Sequence, residues 1–234
     1  MREDGILIQP NATYVPKLVA MMKVSGRRKK GLPYHATLET FNAEFAVESE
    51  MLDGEQGGLF RSGLGLTLYM AMDRPDIQFV VKVLSSYMSR PSVKALSALK
   101  HLASYLEGTP DDGIFLCSTE EGKMVSDFWK EDGFIQDEVT IPDWTVDGRF
   151  ILEAFSDSSW ADCKTTRRST SSGLIFLNGS LLTSICRTQA SVALSSCEAE
   201  LYAANGLMVE SLFLYRLCKF LVGDETEGNS DKVQ

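Results

Sequence analysis

Residues 155–179, FSDSSWADCKTTRRSTSSGLIFLNG, and residues 191–204, SVALSSCEAELYAA, decide how this chain is read. An apolar run ends in the acid Asp157. A polar loop with Lys164, Arg167 and Arg168 follows, and a second apolar run, Leu174–Leu177, stops at Asn178-Gly179. That dipeptide favours a two-residue hairpin turn, because both of its residues tolerate positive φ. Ser195-Ser196-Cys197-Glu198 then matches a capping box: Ser195 caps a helix and Glu198 reaches back to the backbone at its start. Glu200 lies about 200° round the helix from Glu198 and is not needed for the cap. A carboxylate at a strand end and another in the first turns of a helix converge if the helix packs on the sheet. Two such oxygen ligands suit magnesium, and paired ions can activate water and stabilise the leaving oxygen in phosphodiester cleavage. Spacing alone does not separate that arrangement from two unrelated surface acids. Likewise, Arg167 and Arg168 suit contact with phosphate or stand as incidental charge on a surface hairpin.

Outward from this centre, strands are expected at Phe150–Ser156, Leu174–Leu177 and Leu181–Cys186, followed by a long helix with apolar positions at Leu201, Met208, Leu212, Tyr215 and Leu221. The first half reads differently. A short strand (GILI), a turn at Pro10-Asn11 and a helix over Tyr14–Val24 open the chain, and residues 31–58 look loose. Three helical segments follow. The first is apolar at Leu59, Leu64, Leu68 and Met72; the second starts with Asp73 as cap and Pro75 in its first turn. The third carries Leu96, Leu99, Leu102, Ala103 and Leu106 on one stripe and ends at Gly108. A strand at residues 113–118 closes this part. The acidic stretch at residues 119–148, with Trp129 and Trp144 as anchors, is expected to be a linker. The fold class is therefore mixed α/β (α+β), in two units at residues 1–118 and 149–234.

The composition permits a sizeable core: 44% of the 234 residues are hydrophobic. No apolar run reaches the roughly 18 residues of a membrane span, so no membrane partner is expected, and the acidic start does not read as a signal peptide. Five cysteines without a C-x-x-C pair point to reduced thiols in an intracellular protein, cytoplasmic or nuclear. The net charge of −9 argues against a general nucleic-acid binder, but local sign matters more, because screening acts over ~8–10 Å. Basic residues cluster between Lys17 and Lys30 and again between Lys164 and Arg187. The first cluster contains GRRKKG, a nuclear signal, a nucleic-acid contact or a solvated loop. His35 and His101 lie too far apart in sequence to argue for a shared role.

The two motifs resemble the ribonuclease H segment of the Pol polyprotein of copia-type retrotransposons, which reads D-x-D-W-A-G, then R-R-S-T-S-G, then S-S-x-E-A-E-Y-x-A. Upstream, FRSGLGLTLYMAMDRPDIQFVVKVLSSYMSRPS and ALKHLASYLEGTPDDGIFL are similar to the C-terminal end of the family's reverse transcriptase. The resemblance covers most of residues 5–222. It implies a helical reverse-transcriptase connection region over residues 1–118 and a ribonuclease H-like mixed sheet with one long helix over residues 149–234. It also implies Mg2+-dependent cleavage of RNA in an RNA–DNA hybrid, with Asp157 and Glu200 as catalytic, metal-binding carboxylates and Lys164, Arg167 and Arg168 at the phosphates. The implied partners are an RNA–DNA hybrid or other nucleic acid and the remainder of the Pol polyprotein. The family's later catalytic Asp, in a D-N-x-S-A context, and the polymerase's paired aspartates have no counterpart here. The expected ribonuclease H unit is accordingly truncated and its two-ion site incomplete. The alternative is a non-catalytic nucleic-acid-binding or scaffold remnant of the polyprotein.

Overall fold

The computed structural model describes residues 5–26, 28–34, 50–117 and 150–222. The first half is a helical layer closed by a two-stranded antiparallel sheet, in which β1 (Gly5–Ile8) pairs with β2 (Ile114–Cys117). Between them come α1 (Tyr14–Met22), α2 (Gly54–Met70), a 3-10 turn at Pro75–Ile77, α3 (Gln78–Ser85) and α4 (Val93–Gly108). The second half is a three-stranded antiparallel sheet, β3 (Leu152–Ser159), β4 (Thr170–Leu177) and β5 (Ser180–Thr188), followed by the long helix α5 (Ser196–Val222). The class is mixed α/β. None of the described helices is long and apolar enough to cross a membrane.

The helical layer forms because each helix brings an apolar face to a common centre. Leu18, Phe60, Leu64, Met70, Leu84, Leu99, Leu102 and Leu106 are fully buried there. The α4 stripe read from the sequence is the one buried. Gly63 lets α1, α2 and α4 approach closely: a Cβ there would meet Met22 Cε at 2.5 Å and Leu99 Cδ2 at 3.2 Å.

Several expectations are corrected. α1 stops at Met22 rather than Val24, because Lys23 turns into the left-handed region (φ 55°) and its N–H closes back on the last turn. α2 begins at Gly54, inside the stretch expected to be loose, since Asp53 accepts a hydrogen bond from the Gln56 amide at 2.7 Å and caps it. Its buried face passes through Phe60, Leu64 and Met70, leaving Leu68 and Met72 exposed. Asp73 does not cap the next segment; Arg74 holds that position, with Pro75 following as the first residue of the 3-10 turn. Residues 35–49, with His35, and residues 118–149, which contain the expected linker at residues 119–148 with Trp129 and Trp144, lie outside the described residues.

Among the described residues, Arg74 is the largest fully buried side chain. Its guanidinium donates two bonds to Asp76, at 2.9 and 2.8 Å, and two to Thr109, one to the carbonyl and one to the hydroxyl. Tyr105 donates its hydroxyl to the same Asp76 carboxylate at 2.7 Å. The RPDI stretch is thus a polar knot tying the 3-10 turn to the end of α4.

Contacts across the two halves run through β2, which lies against β5, and through α3. Gln78 donates to the Ser184 carbonyl of β5 at 3.2 Å. Lys82 donates to the Thr170 hydroxyl and sits 3.8 Å from the Asp162 carboxylate.

Candidate functional site

The strands run further than the apolar pattern implied. β3 continues through Asp157 to Ser159, paired with β4 from Thr170 onward. Asp157 is therefore inside a paired strand, one turn of the pleat short of its end, and its carbonyl accepts from the Ser172 hydroxyl at 3.3 Å. Asn178 and Gly179 take φ of 48° and 78°, and they turn β4 into β5 as the sequence requires.

The pleat sorts the side chains. Asp157 stands opposite Ser172, and Ser172 opposite Cys186, on one face. Ser158, Ser171, Gly173 and Ile185 occupy the other face, where Leu207 of α5 packs so closely that a Cβ on Gly173 would meet its Cδ1 at 2.6 Å. The helix surface against the sheet is Ala199, Ala203 and Leu207, all buried. This replaces the expected contact row: Leu201, Met208, Leu212 and Leu221 are exposed, and Tyr215 touches Phe150 at the far end. Small residues win at the contact because they let the helix axis close down on the sheet.

The start of α5 is held by several bonds. The Ser195 hydroxyl accepts from the Glu198 amide at 3.1 Å. Glu198 accepts from the Leu194 amide at 2.7 Å, one residue before the cap, and from the Tyr202 hydroxyl at 3.0 Å. Gln189, a residue the sequence did not single out, donates to the Ala199 carbonyl at 2.8 Å and to the Ser171 hydroxyl at 3.0 Å. It fastens the first turn of the helix to β4.

Glu200 points to β3. Its Oε1 accepts from the backbone amide of Ser158, the residue after Asp157, at 3.2 Å. The structure thus brings Glu200 to the strand that carries Asp157, one position along. Both residues are exposed. Among the described residues no group of three or more His, Cys, Asp or Glu side chains could hold a metal ion.

Beside this edge, residues 160–169 make a tight loop. Trp160 donates its indole N–H to the Ala193 carbonyl at 3.0 Å, so it spans from the strand to the approach of α5. Ala161 and Arg167 have positive φ, 49° and 58°, and the Arg167 amide closes on the Cys163 carbonyl at 2.7 Å. Burial pushes the Cys163 thiol up, but hydrogen bonds from the Thr166 hydroxyl and from the Thr166 and Thr165 amides outweigh it and leave the thiol below its ordinary range. Lys164, Arg167 and Arg168 all project from this loop as exposed cations.

Asp162, in the same loop, faces inward. It accepts from the Thr170 hydroxyl at 2.6 Å and lies beside Lys82 of the helical layer. In the sequence it is the one acid between residues 162 and 187. Its position after the alanine that turns the chain inward was the available signal. Of the first basic cluster, Lys29 packs beside Gly108 of the helical layer and Arg27 lies outside the described residues. His101 pairs with the Leu32 carbonyl at 3.1 Å.

No protein-family model matches the sequence, and no solved structure matches it. Known proteins do. The retrovirus-related Pol polyprotein from transposon RE1 of Arabidopsis thaliana is 32% identical over 141 residues, which are 60% of this chain and 8% of the polyprotein. The corresponding polyprotein from transposon TNT 1-94 of Nicotiana tabacum is 25% identical over 163 residues, 69% of this chain and 10% of the polyprotein. The secreted RxLR effector protein 161 of Plasmopara viticola is 30% identical over 156 residues, covering 66% of this chain and 90% of the effector. The chain spans only a small share of the Pol polyproteins it matches. Its similarity to several of them over most of its own length agrees with the order of its motifs, and the chain belongs with the Pol polyproteins of copia-type retrotransposons, as a segment of one.

Proposed function

We propose that residues 150–222 are a ribonuclease H-like unit that engages RNA–DNA hybrid, and that residues 5–117 are the reverse-transcriptase connection that precedes it in Pol. The observation that carries this reading is the bond from the Ser158 amide to Glu200, which sets the helix carboxylate one residue from Asp157. The loop cations Lys164, Arg167 and Arg168 stand between β3 and β4, where a phosphate backbone beside that edge would meet them.

Asp157 and Glu200 suit a hard cation in ligand type, and a bound magnesium would supply charge for a phosphodiester oxygen. They fall short in number, and the pleat sets the Asp157 side chain on the face of the sheet away from α5, the helix that carries Glu200. One Glu200 oxygen already accepts from the Ser158 amide, and a two-ion site needs more ligands than the described residues assemble. The reading is therefore hybrid binding by this chain, with little or no cleavage by the chain alone.

The test is a pure-protein assay on a labelled RNA–DNA hybrid in magnesium, alongside a binding titration. Salt-sensitive binding with cleavage at background is expected. Robust cleavage that disappears in Asp157→Asn would show a complete nuclease instead. Absence of hybrid binding at low salt would leave the chain a non-catalytic scaffold of the polyprotein.

A further inference from the structure

A groove of about 350 Å³ runs between α5 and the β4–β5 pair. Gly173 and Ile185 of the strands line it on one side, and Tyr202, Gly206 and Leu207 of the helix on the other. Tyr202 and Gly206 lie about 200° and 240° round α5 from Glu200, so the groove opens on the other flank of the helix from that carboxylate. Gly206 leaves it unfilled: a Cβ there would meet nothing within 4 Å. The Tyr202 hydroxyl donates to Glu198 at 3.0 Å, which holds the ring in place as a wall.

Gln189 closes one end. It is 7% exposed, and its amide nitrogen donates to the Ala199 carbonyl and to the Ser171 hydroxyl. A carbonyl can only accept, so the nitrogen must be the atom that faces Ala199, and the amide has one orientation. Its Oε1 is then a buried acceptor to which no described residue donates. An acceptor buried in that way costs stability unless a donor reaches it, and the groove is the side from which a donor can come. Ser171, which accepts from Gln189, still has its own hydroxyl proton to give, and Ser191 lines the groove two residues beyond Gln189. Arg187 is the one charged residue of the lining, and Glu210 neutralises it at 2.9 Å.

These features select a ligand that is neutral, flat, apolar on its faces and polar round its edge. It brings an N–H to Gln189 and an acceptor to the Ser171 hydroxyl. The volume, near the lower end for ligand pockets, suits one ring system. We infer that the groove holds a single unpaired nucleobase, set against Tyr202 beside Gly206, with an edge N–H donated to Gln189 Oε1. An indole or phenol side chain offers one polar atom where the groove presents several. A base edge carries donors and acceptors side by side, and its face stacks on an aromatic ring. The inference is independent of any cleavage at Asp157. A free nucleoside and an unpaired nucleotide at a strand end present the same ring, and the test separates them.

Fluorescence titration of 2-aminopurine riboside with the full chain is that test. Stacking on Tyr202 should quench the base, with a Kd of about 100 μM or below, and adenosine should displace it. Purine riboside has the same ring system but no N–H on it, so it should displace the probe at least about tenfold less well, since Gln189 Oε1 can only accept. Gly206→Leu fills the groove and favours the helix. It should weaken binding at least about tenfold while circular dichroism shows no loss of helix. A hybrid with 2-aminopurine in a single-nucleotide overhang reads the source. Tighter binding of the overhang assigns the groove to nucleic acid, and tighter binding of the riboside assigns it to a free nucleoside. Equal displacement by adenosine and purine riboside would overturn the proposal. So would an unquenched probe at about 200 μM chain, or unchanged binding in Gly206→Leu. Stronger displacement by N-acetyltryptophanamide than by adenosine would overturn it as well and give the groove to a partner's side chain.

Discussion

Arg74 and Asp76 show how two adjacent-looking polar residues come to anchor a helical layer. Arg74 is 1% exposed and Asp76 33%. Burial alone would push the Asp76 carboxyl up, but the hydrogen bonds from Arg74 and Tyr105 and the guanidinium charge outweigh it, and the carboxyl lies below its ordinary value of 3.8. A carboxyl lowered in the folded state stabilises the fold above its unfolded pKa, and that stabilisation is lost as pH falls through the folded pKa. Asp76→Asn should therefore lower stability at neutral pH and flatten the loss seen below about pH 4, as urea titrations at several pH values will show. Arg74→Met should cost about 3 kcal/mol, the low end for breaking a buried pair, because water can still reach Asp76. The cysteines carry a second prediction at this scale. Cys163 is lowered by the Thr166 and Thr165 donors against the effect of burial, whereas burial raises Cys186 and Cys218. Alkylation followed against pH should label Cys163 at a lower pH than the other two, and Thr166→Val should shift its midpoint upward. A Cys163 midpoint at or above that of Cys218 would contradict the hydrogen-bonded loop.

At the scale of elements, the seating of α5 on the sheet depends on what is missing from one side chain. Gly173 leaves room for Leu207, and the nearest Leu207 carbons lie 2.6–3.3 Å from where a Cβ would be. Leu207 is only 5% exposed and has little room to retreat. Gly173→Val should displace the helix and cost about 2 kcal/mol by overpacking. The paired variant Gly173→Val with Leu207→Ala should recover part of that loss; thermal unfolding of the three variants measures it. An additive double variant would mean that the helix is seated by other contacts. Apolar periodicity pointed to the wrong side of this helix: Leu201, Met208 and Leu212 outrank Ala199 and Ala203 in hydrophobicity, yet the alanines face the sheet. Close backbone approach, not side-chain size, decides which face of a helix packs on a strand that carries a glycine.

Across the whole molecule, charge is distributed against its total. The chain has a net charge of −9, yet the loop beside Asp157 presents Lys164, Arg167 and Arg168 to solvent while turning its acid, Asp162, inward to Lys82. If that loop holds phosphate, three contacts give a slope of roughly −2 to −3 in log affinity against log salt, by the rule of about −0.9 per phosphate for duplex DNA. Arg167→Ala with Arg168→Ala should reduce the slope to about −1. Lys29→Ala should leave it unchanged, since Lys29 packs on α4 in the helical layer. Fluorescence titration of a hybrid at several salt concentrations reads both. An unaltered slope in the arginine variant would remove the loop from the interface.

Local chemistry made part of this architecture legible in the sequence alone. The Asn178-Gly179 turn, the Ser195 cap and the α4 stripe from Leu96 to Leu106 each depend on residues within one turn or one hairpin of each other, and the structure has them where the sequence places them. The order of the motifs was enough to place the chain among copia-type Pol sequences. Features that join distant segments were not legible. The Arg74–Thr109 knot, the Lys82–Asp162 pair, the Gln189 clamp and the attachment of Glu200 to the Ser158 amide link residues 10 to 80 positions apart. Their partners are chosen by how layers stack, and a one-dimensional pattern carries no record of that. The strand that continues through Asp157 belongs with them: Ser156, Ser158 and Ser159 have little strand preference of their own, and their backbone is satisfied by pairing with β4 and, at the Ser158 amide, by Glu200.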